Sequence, residues 1–207
     1  MRLWKCGPGA FCGIAFVVLV ASVALEPVPV AGFVSANIVA PLLACGLLYA
    51  SLAADRGDRP RLAHVLAVFA APLAAQVAVV TAGLVPVAAE FWIASQVAGV
   101  NLALPLQDAS RLSAGAVVTI YAVGIAVSLP VTFVPMAALF DGEPFGRAFA
   151  LSARAFALNV PALAINACIA FALLLVGIAT SGIALVLVLP WIASASYAAW
   201  KDVFGVK

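Results

Sequence analysis

Charge is what this chain has least of. Among its 207 residues there are ten Lys and Arg, eight Asp and Glu and one histidine, so 9% are charged, where a soluble domain carries roughly 25%. The formal net charge of +2 is too small to hold a polyphosphate, which excludes nucleic acid as an expected partner. A lone histidine, His64, cannot build a zinc site, which takes three or four ligands. The four cysteines, Cys6, Cys12, Cys45 and Cys168, are scattered, with no CxxC pair, and read as small packing residues. HExxH and GxSxG are absent, as is a glycine-rich loop followed by Lys-Ser or Lys-Thr. The stretch 178–182, "IATSG", comes near the turn of an intramembrane serine protease. Ala179 stands where glycine is needed, however, and no histidine follows to act as base. These gaps predict no enzymatic activity, no metal and no cofactor.

What is present is apolar. Hydrophobic residues make up 67% of the chain and mean hydropathy is +1.24. No soluble fold of this size hides so much apolar surface, so the bilayer is the expected solvent. A spanning helix needs roughly 20 mainly apolar residues. Six such spans can be drawn, over about residues 8–25, 30–53, 63–86, 113–139, 158–177 and 183–200. The expected fold is a single all-α integral membrane domain, a six-helix transmembrane bundle of three hairpins. Residues 87–111 are expected to form an outer loop that lies on the membrane or dips into it.

Lys and Arg set the orientation, because cytoplasmic loops carry the excess. With the N-terminus inside, Arg2, Lys5, Arg56, Arg59, Arg61, Arg147, Arg154, Lys201 and Lys207 fall inside and only Arg111 outside. A seven-span reading makes 85–106 another helix. It spoils that bias and places Glu90, Gln96 and Asn101 in lipid, where polar groups are costly. Arg2, Lys5, the apolar run after them and Ser22-Val23-Ala24 imitate a cleavable secretory signal. The following 25–30, "LEPVPV", leads straight into a second apolar run, and the expected first helix is retained. Trp4, Tyr49, Tyr197 and Trp200 are expected near the inner boundary and Trp92 near the outer one.

Prolines interrupt the even-numbered spans at Pro41, Pro130 and Pro190, a weak internal repeat. All eight acids then lie at boundaries or in loops, which speaks against an ion-coupled carrier. The polar groups left at depth include Gln76 and Asn166, expected either to bond between helices or to line an intramembrane polar path.

The stretch 141–156, "DGEPFGRAFALSARAF", is the one charged, helix-prone piece between long apolar runs. Acidic residues before Pro144 make a good helix start. Phe145, Phe149, Ser152 and Phe156 share one side, and Arg147, Leu151 and Arg154 another. This predicts a short interfacial helix over 143–157, before the fifth span. Its bland role is to anchor the bundle. Its sharper one is a lipid-headgroup or anion site using Arg147, Arg154 and Asn159.

The same residues carry a resemblance. Gly142, Pro144 and Ala148, then Ser152-Ala153-Arg154-Ala155 and Asn159, then Ser196, Tyr197, Ala198, Asp202 and Phe204, resemble the C-terminal signature of a family of small, uncharacterised, multi-spanning inner-membrane proteins of proteobacteria. The stretches 8–11 ("PGAF"), 29–50 and 56–69 resemble that family's first hairpin and first inner loop. More loosely, the chain is similar to the membrane domain of glycerophosphodiester phosphodiesterases. The resemblance implies a bacterial inner-membrane bundle, and the Lys and Arg bias predicts that both termini are cytoplasmic. It brings no activity and no catalytic residue. The function expected is that of a non-enzymatic scaffold or accessory subunit in contact with membrane lipids and a membrane protein complex. The alternative is a transporter or channel for a small neutral or lipidic solute.

Overall fold

The computed structural model describes residues 6–25, 31–102 and 112–205. All regular structure among them is helical. In chain order these are α1 (Pro8–Leu25), α2 (Ala31–Asp55), a 3₁₀ segment (Leu62–Ala70), α3 (Leu73–Ala98), α4 (Ala114–Ser128), a 3₁₀ turn (Leu129–Val131), α5 (Val134–Leu139), α6 (Phe145–Leu158), α7 (Val160–Ala179) and α8 (Leu185–Phe204). Among the described residues, four stretches are long and apolar enough to cross a membrane: Ser35–Asp55, Leu73–Ala98, Ala114–Leu139 and Val160–Ala179. The chain is thus a membrane-embedded helical protein.

Most helix ends fall within a few residues of where the apolar runs end. The third helix does not. A span over 63–86 is expected, but residues 62–70 form the 3₁₀ segment and the chain breaks at Ala71. Proline disfavours helical backbone in the residue before it, and Ala71 is extended (φ −75°, ψ 156°) ahead of Pro72. Helix α3 then starts at Leu73 and carries Pro86 in its interior. It runs on through twelve residues of the expected outer loop and stops at Gly99, whose φ of 62° is the left-handed conformation that glycine takes most readily. Residues 103–111 of that loop, with Arg111, and the basic ends Arg2, Lys5 and Lys207 lie outside the described residues.

Helix α2 is the hub, packed against α1, the 3₁₀ segment, α3 and α8. Close approach depends on missing side chains. A Cβ on Gly46 would meet the Val65 Cα at 2.6 Å, so the 3₁₀ backbone rides directly over α2. One on Gly83 would meet Pro41 Cγ at 2.8 Å, where α3 crosses α2. Ala75, Ala78 and Ala82 of α3 pack on Val134, Ala137 and Ala138 of α5 and on Ala148 of α6. The other end of α3 pairs with α4.

The main core gathers Leu42, Cys45 and Leu48 with Val68, Val79, Phe133, Met136, Tyr197 and Trp200. Tyr197 and Trp200 are 1% and 2% exposed, so both rings pack into this core. The Phe140 ring meets Tyr49, Tyr197 and Trp200 edge-on at 5.2, 6.2 and 5.8 Å, a favoured arrangement for aromatic quadrupoles. Beside this cluster Asp55 Oδ2 accepts from Lys201 Nζ at 2.5 Å and from Tyr197 Oη at 3.1 Å, tying the end of α2 to α8.

Candidate functional site: a cleft among proline-broken helices

The 114–139 stretch is not one continuous helix. Pro130 cannot donate the backbone bond an α-helix needs there. The chain tightens into 3₁₀ geometry instead, with Leu129 N bonded to Ala126 O and Thr132 N to Leu129 O. Phe133 N–H, past the break, finds a side-chain acceptor: Ser152 Oγ of α6, at 3.1 Å and fully buried. Ala148, Ser152 and Ala155 form the small buried face that lets α6 clamp this break.

Beside the break lies a cavity of about 330 Å³, walled by α2, α3, the α4–α5 stretch and α8. Prolines mark it on three sides: Pro41, Pro86 and Pro135 all line it. Its walls are otherwise mostly aliphatic, with Leu47, Leu48, Val79, Met136 and Ile192 among them. The polar exceptions are hydroxyls and carbonyls. Ser128 Oγ donates to Ile125 O at 2.7 Å and Thr132 Oγ1 to Ser128 O at 3.0 Å. Ser196 lines the cavity, and its hydroxyl forms no hydrogen bond among the described residues. Pro86 offers no N–H to Ala82 O, nor Pro135 to Val131 O, and both of those residues line the cleft. Such a space suits an apolar molecule with one modest hydrogen-bonding group. Ligand sites begin at about this size, roughly 300 Å³.

The sequence-selected polar residues fall elsewhere. Gln76 does not line the cleft. Its Nε2 donates to Ala71 O at 2.8 Å and Phe69 O at 3.5 Å, capping the end of the 3₁₀ segment. Both carbonyls flank the break made by Pro72, and the Gln76 amide is the donor that meets them. Asn166 is half-buried on α7, which adds no residue to the cleft. His64 Nδ1 accepts from Arg61 N at 3.1 Å at the start of the 3₁₀ segment.

Arg147, Arg154 and Asn159 do not converge. They occupy about 18 Å of α6 and its end at 1.5 Å per residue. Arg147 Nε pairs with Glu143 Oε2 at 3.0 Å, and Asn159 Nδ2 donates to Ala155 O at 2.9 Å. Arg154 is exposed. Near this helix, burial pushes the Asp141 carboxyl above its usual range. The Trp200 indole N–H lies close enough to pull it back, and the Glu143 charge adds to the rise. The same buried Trp200 Nε1 completes no hydrogen bond.

Glu90 lies inside α3, not in an outer loop. Its carboxyl sits against Gly124 of α4, where a Cβ would overlap it. The stripe Ala82, Pro86, Glu90, Ala94, at four-residue spacing, is the signal that would have placed it on the packed face. Searches of protein-family models, curated proteins and solved structures find no match to this chain.

Proposed function

We propose that this protein binds an apolar, lipid-like molecule in the cleft among α2, α3, α4–α5 and α8, without doing chemistry on it. The observation that carries this reading is the cavity itself: about 330 Å³, aliphatic walls and an uncommitted Ser196 hydroxyl. No carboxylate, histidine, lysine or arginine lines it to activate Cys45 or the hydroxyls. The membrane arrangement belongs to the proposal too. Six crossings, by α1, α2, α3, α4–α5, α7 and α8, leave both ends on the basic, cytoplasmic side, with α6 along that interface. The support is the Lys and Arg asymmetry. The resemblance to proteobacterial proteins supports an inner membrane.

A photoactivatable long-chain alcohol carrying a diazirine tests the cleft. In liposomes it should label Met136, Ala193 or Ser196, and Ala193→Phe, which fills the space, should abolish that labelling. Label confined to outward-facing residues of α7 would reject the reading. An accessory role within a larger complex has one observation of its own: only 11% of the apolar stretch of α7 is buried, with Ile165, Ile169 and Val176 exposed. That role requires a partner at fixed stoichiometry in mild detergent, and recovery of the free chain alone counts against it.

A further inference from the structure

Glu90 extends the cleft. It stands four residues beyond Pro86 on α3, and Gly124 stands four residues before Ser128 on α4, Pro86 and Ser128 both being cleft-lining. One turn is about 5.4 Å, so Glu90 and Gly124 continue the cleft wall by one turn toward the end of α3. There the carboxyl fills the space left by the missing side chain of Gly124. It lies within a helix apolar enough to cross the membrane. Among the described residues no hydrogen bond or ion pair neutralises it.

Among the described residues the surroundings offer no cation. Helices α2, α4 and α5, packed along α3, contain no Lys, Arg or His. The titratable neighbour is Tyr121 of α4. Arg147 and Arg154 of α6 belong to the opposite end of α3, beside Ala75–Ala82. The acids, phenols and thiols of α2 nearest the bundle interior (Cys45, Tyr49, Asp55) also lie toward that opposite end. A carboxyl kept inside a span without a partner is costly, and such residues mark ligand or proton paths. An acid at the rim of an apolar cavity is complementary to one class of molecule, a cation with a greasy tail.

We propose that Glu90 is the headgroup site of the cleft, pairing with the ammonium of a long-chain amine or quaternary amine whose tail occupies the cavity. This rests on the cleft reading and names its ligand class. A cationic headgroup there supplies the countercharge that the described helices around the carboxyl lack. Tyr121 lines the same seam, and Gly124 is the clearance that lets the headgroup reach the acid.

Two diazirine probes with the same chain, one ending in an alcohol and one in trimethylammonium, separate the claims. In liposomes both should label the cleft of the wild type. Glu90→Gln should lower the ratio of ammonium to alcohol labelling about tenfold, and Glu90→Asp should restore part of it. In the wild-type protein dicyclohexylcarbodiimide, which adds to protonated carboxyls in apolar surroundings, should modify Glu90. The ammonium probe should protect that residue at least tenfold better than the alcohol. An unchanged labelling ratio, or equal protection by both probes, overturns the Glu90 assignment while alcohol labelling keeps the cleft reading. Absence of cleft labelling by either probe overturns both.

Discussion

Ser152 holds the broken helix together, and removing one oxygen from it has a calculable effect. The residue is 0% exposed, and its Oγ is the acceptor for Phe133 N–H at 3.1 Å. The acceptor an unbroken helix would offer, Leu129 O, already takes Thr132 N at 3.3 Å. Ser152→Ala therefore leaves a buried N–H unpaired in surroundings with no water to replace the lost bond. The penalty for a stranded buried donor is about 1–3 kcal/mol, a fall in the folded-to-unfolded ratio of roughly five- to 150-fold at 1.4 kcal/mol per decade. Unfolding by sodium dodecyl sulfate in mixed micelles, followed by tryptophan fluorescence, measures it. Ser152→Cys, which keeps the size with a weaker acceptor, should fall between the two. If Ser152→Ala stays within about 0.5 kcal/mol of wild type, the range of inert surface changes, then α6 does not clamp the break.

Four more outcomes follow from named contacts. Gly124→Ala should cost about 1–3 kcal/mol by overpacking against Glu90, and Glu90→Ala should recover most of that in a double-mutant cycle. Gln76→Leu should destabilise by about 1 kcal/mol through the uncapped Ala71 carbonyl while leaving alcohol labelling of the cleft intact. Lys201→Met should cost no more than about 1 kcal/mol and lose its effect in high salt, because the Asp55 pair is partly exposed. Burial raises the folded-state pKa of Asp141. The stability linked to it is therefore present below its ordinary value of 3.8 and lost as pH rises through the raised one. Asp141→Asn should flatten that part of a stability-versus-pH curve.

Much of the fold is legible because the solvent is. Long apolar runs punctuated by Pro8, Pro144 and Pro161 announce helix starts, and the observed α1, α6 and α7 begin at or beside them. The third helix was not legible, since 63–86 and 73–98 are about equally apolar. The difference lies in which proline stops a helix. Pro72 does, whereas Pro86 bends a membrane helix that neighbours can support. With the helix starting at Leu73, Glu90 lies in a packed seam and Gln76 stands one turn past the break, within reach of the Ala71 carbonyl. The spacing of Phe145, Phe149 and Phe156 draws the eye to an aromatic side of α6, yet the buried face is Ala148, Ser152 and Ala155, because close helix contact selects small side chains. The cleft itself is a product of tertiary placement. Pro41, Pro86 and Pro135 come from three separate helical stretches, and no local pattern in the sequence brings them together.

The occupant of that cleft is the central claim, and a cryo-electron microscopy map of the protein in lipid nanodiscs tests it most directly. The account predicts elongated density between Pro41, Pro86, Pro135 and Ser196, with its head toward Glu90. A closed seam, with α8 side chains packed onto Met136 and Val79 and no room between them, would contradict it.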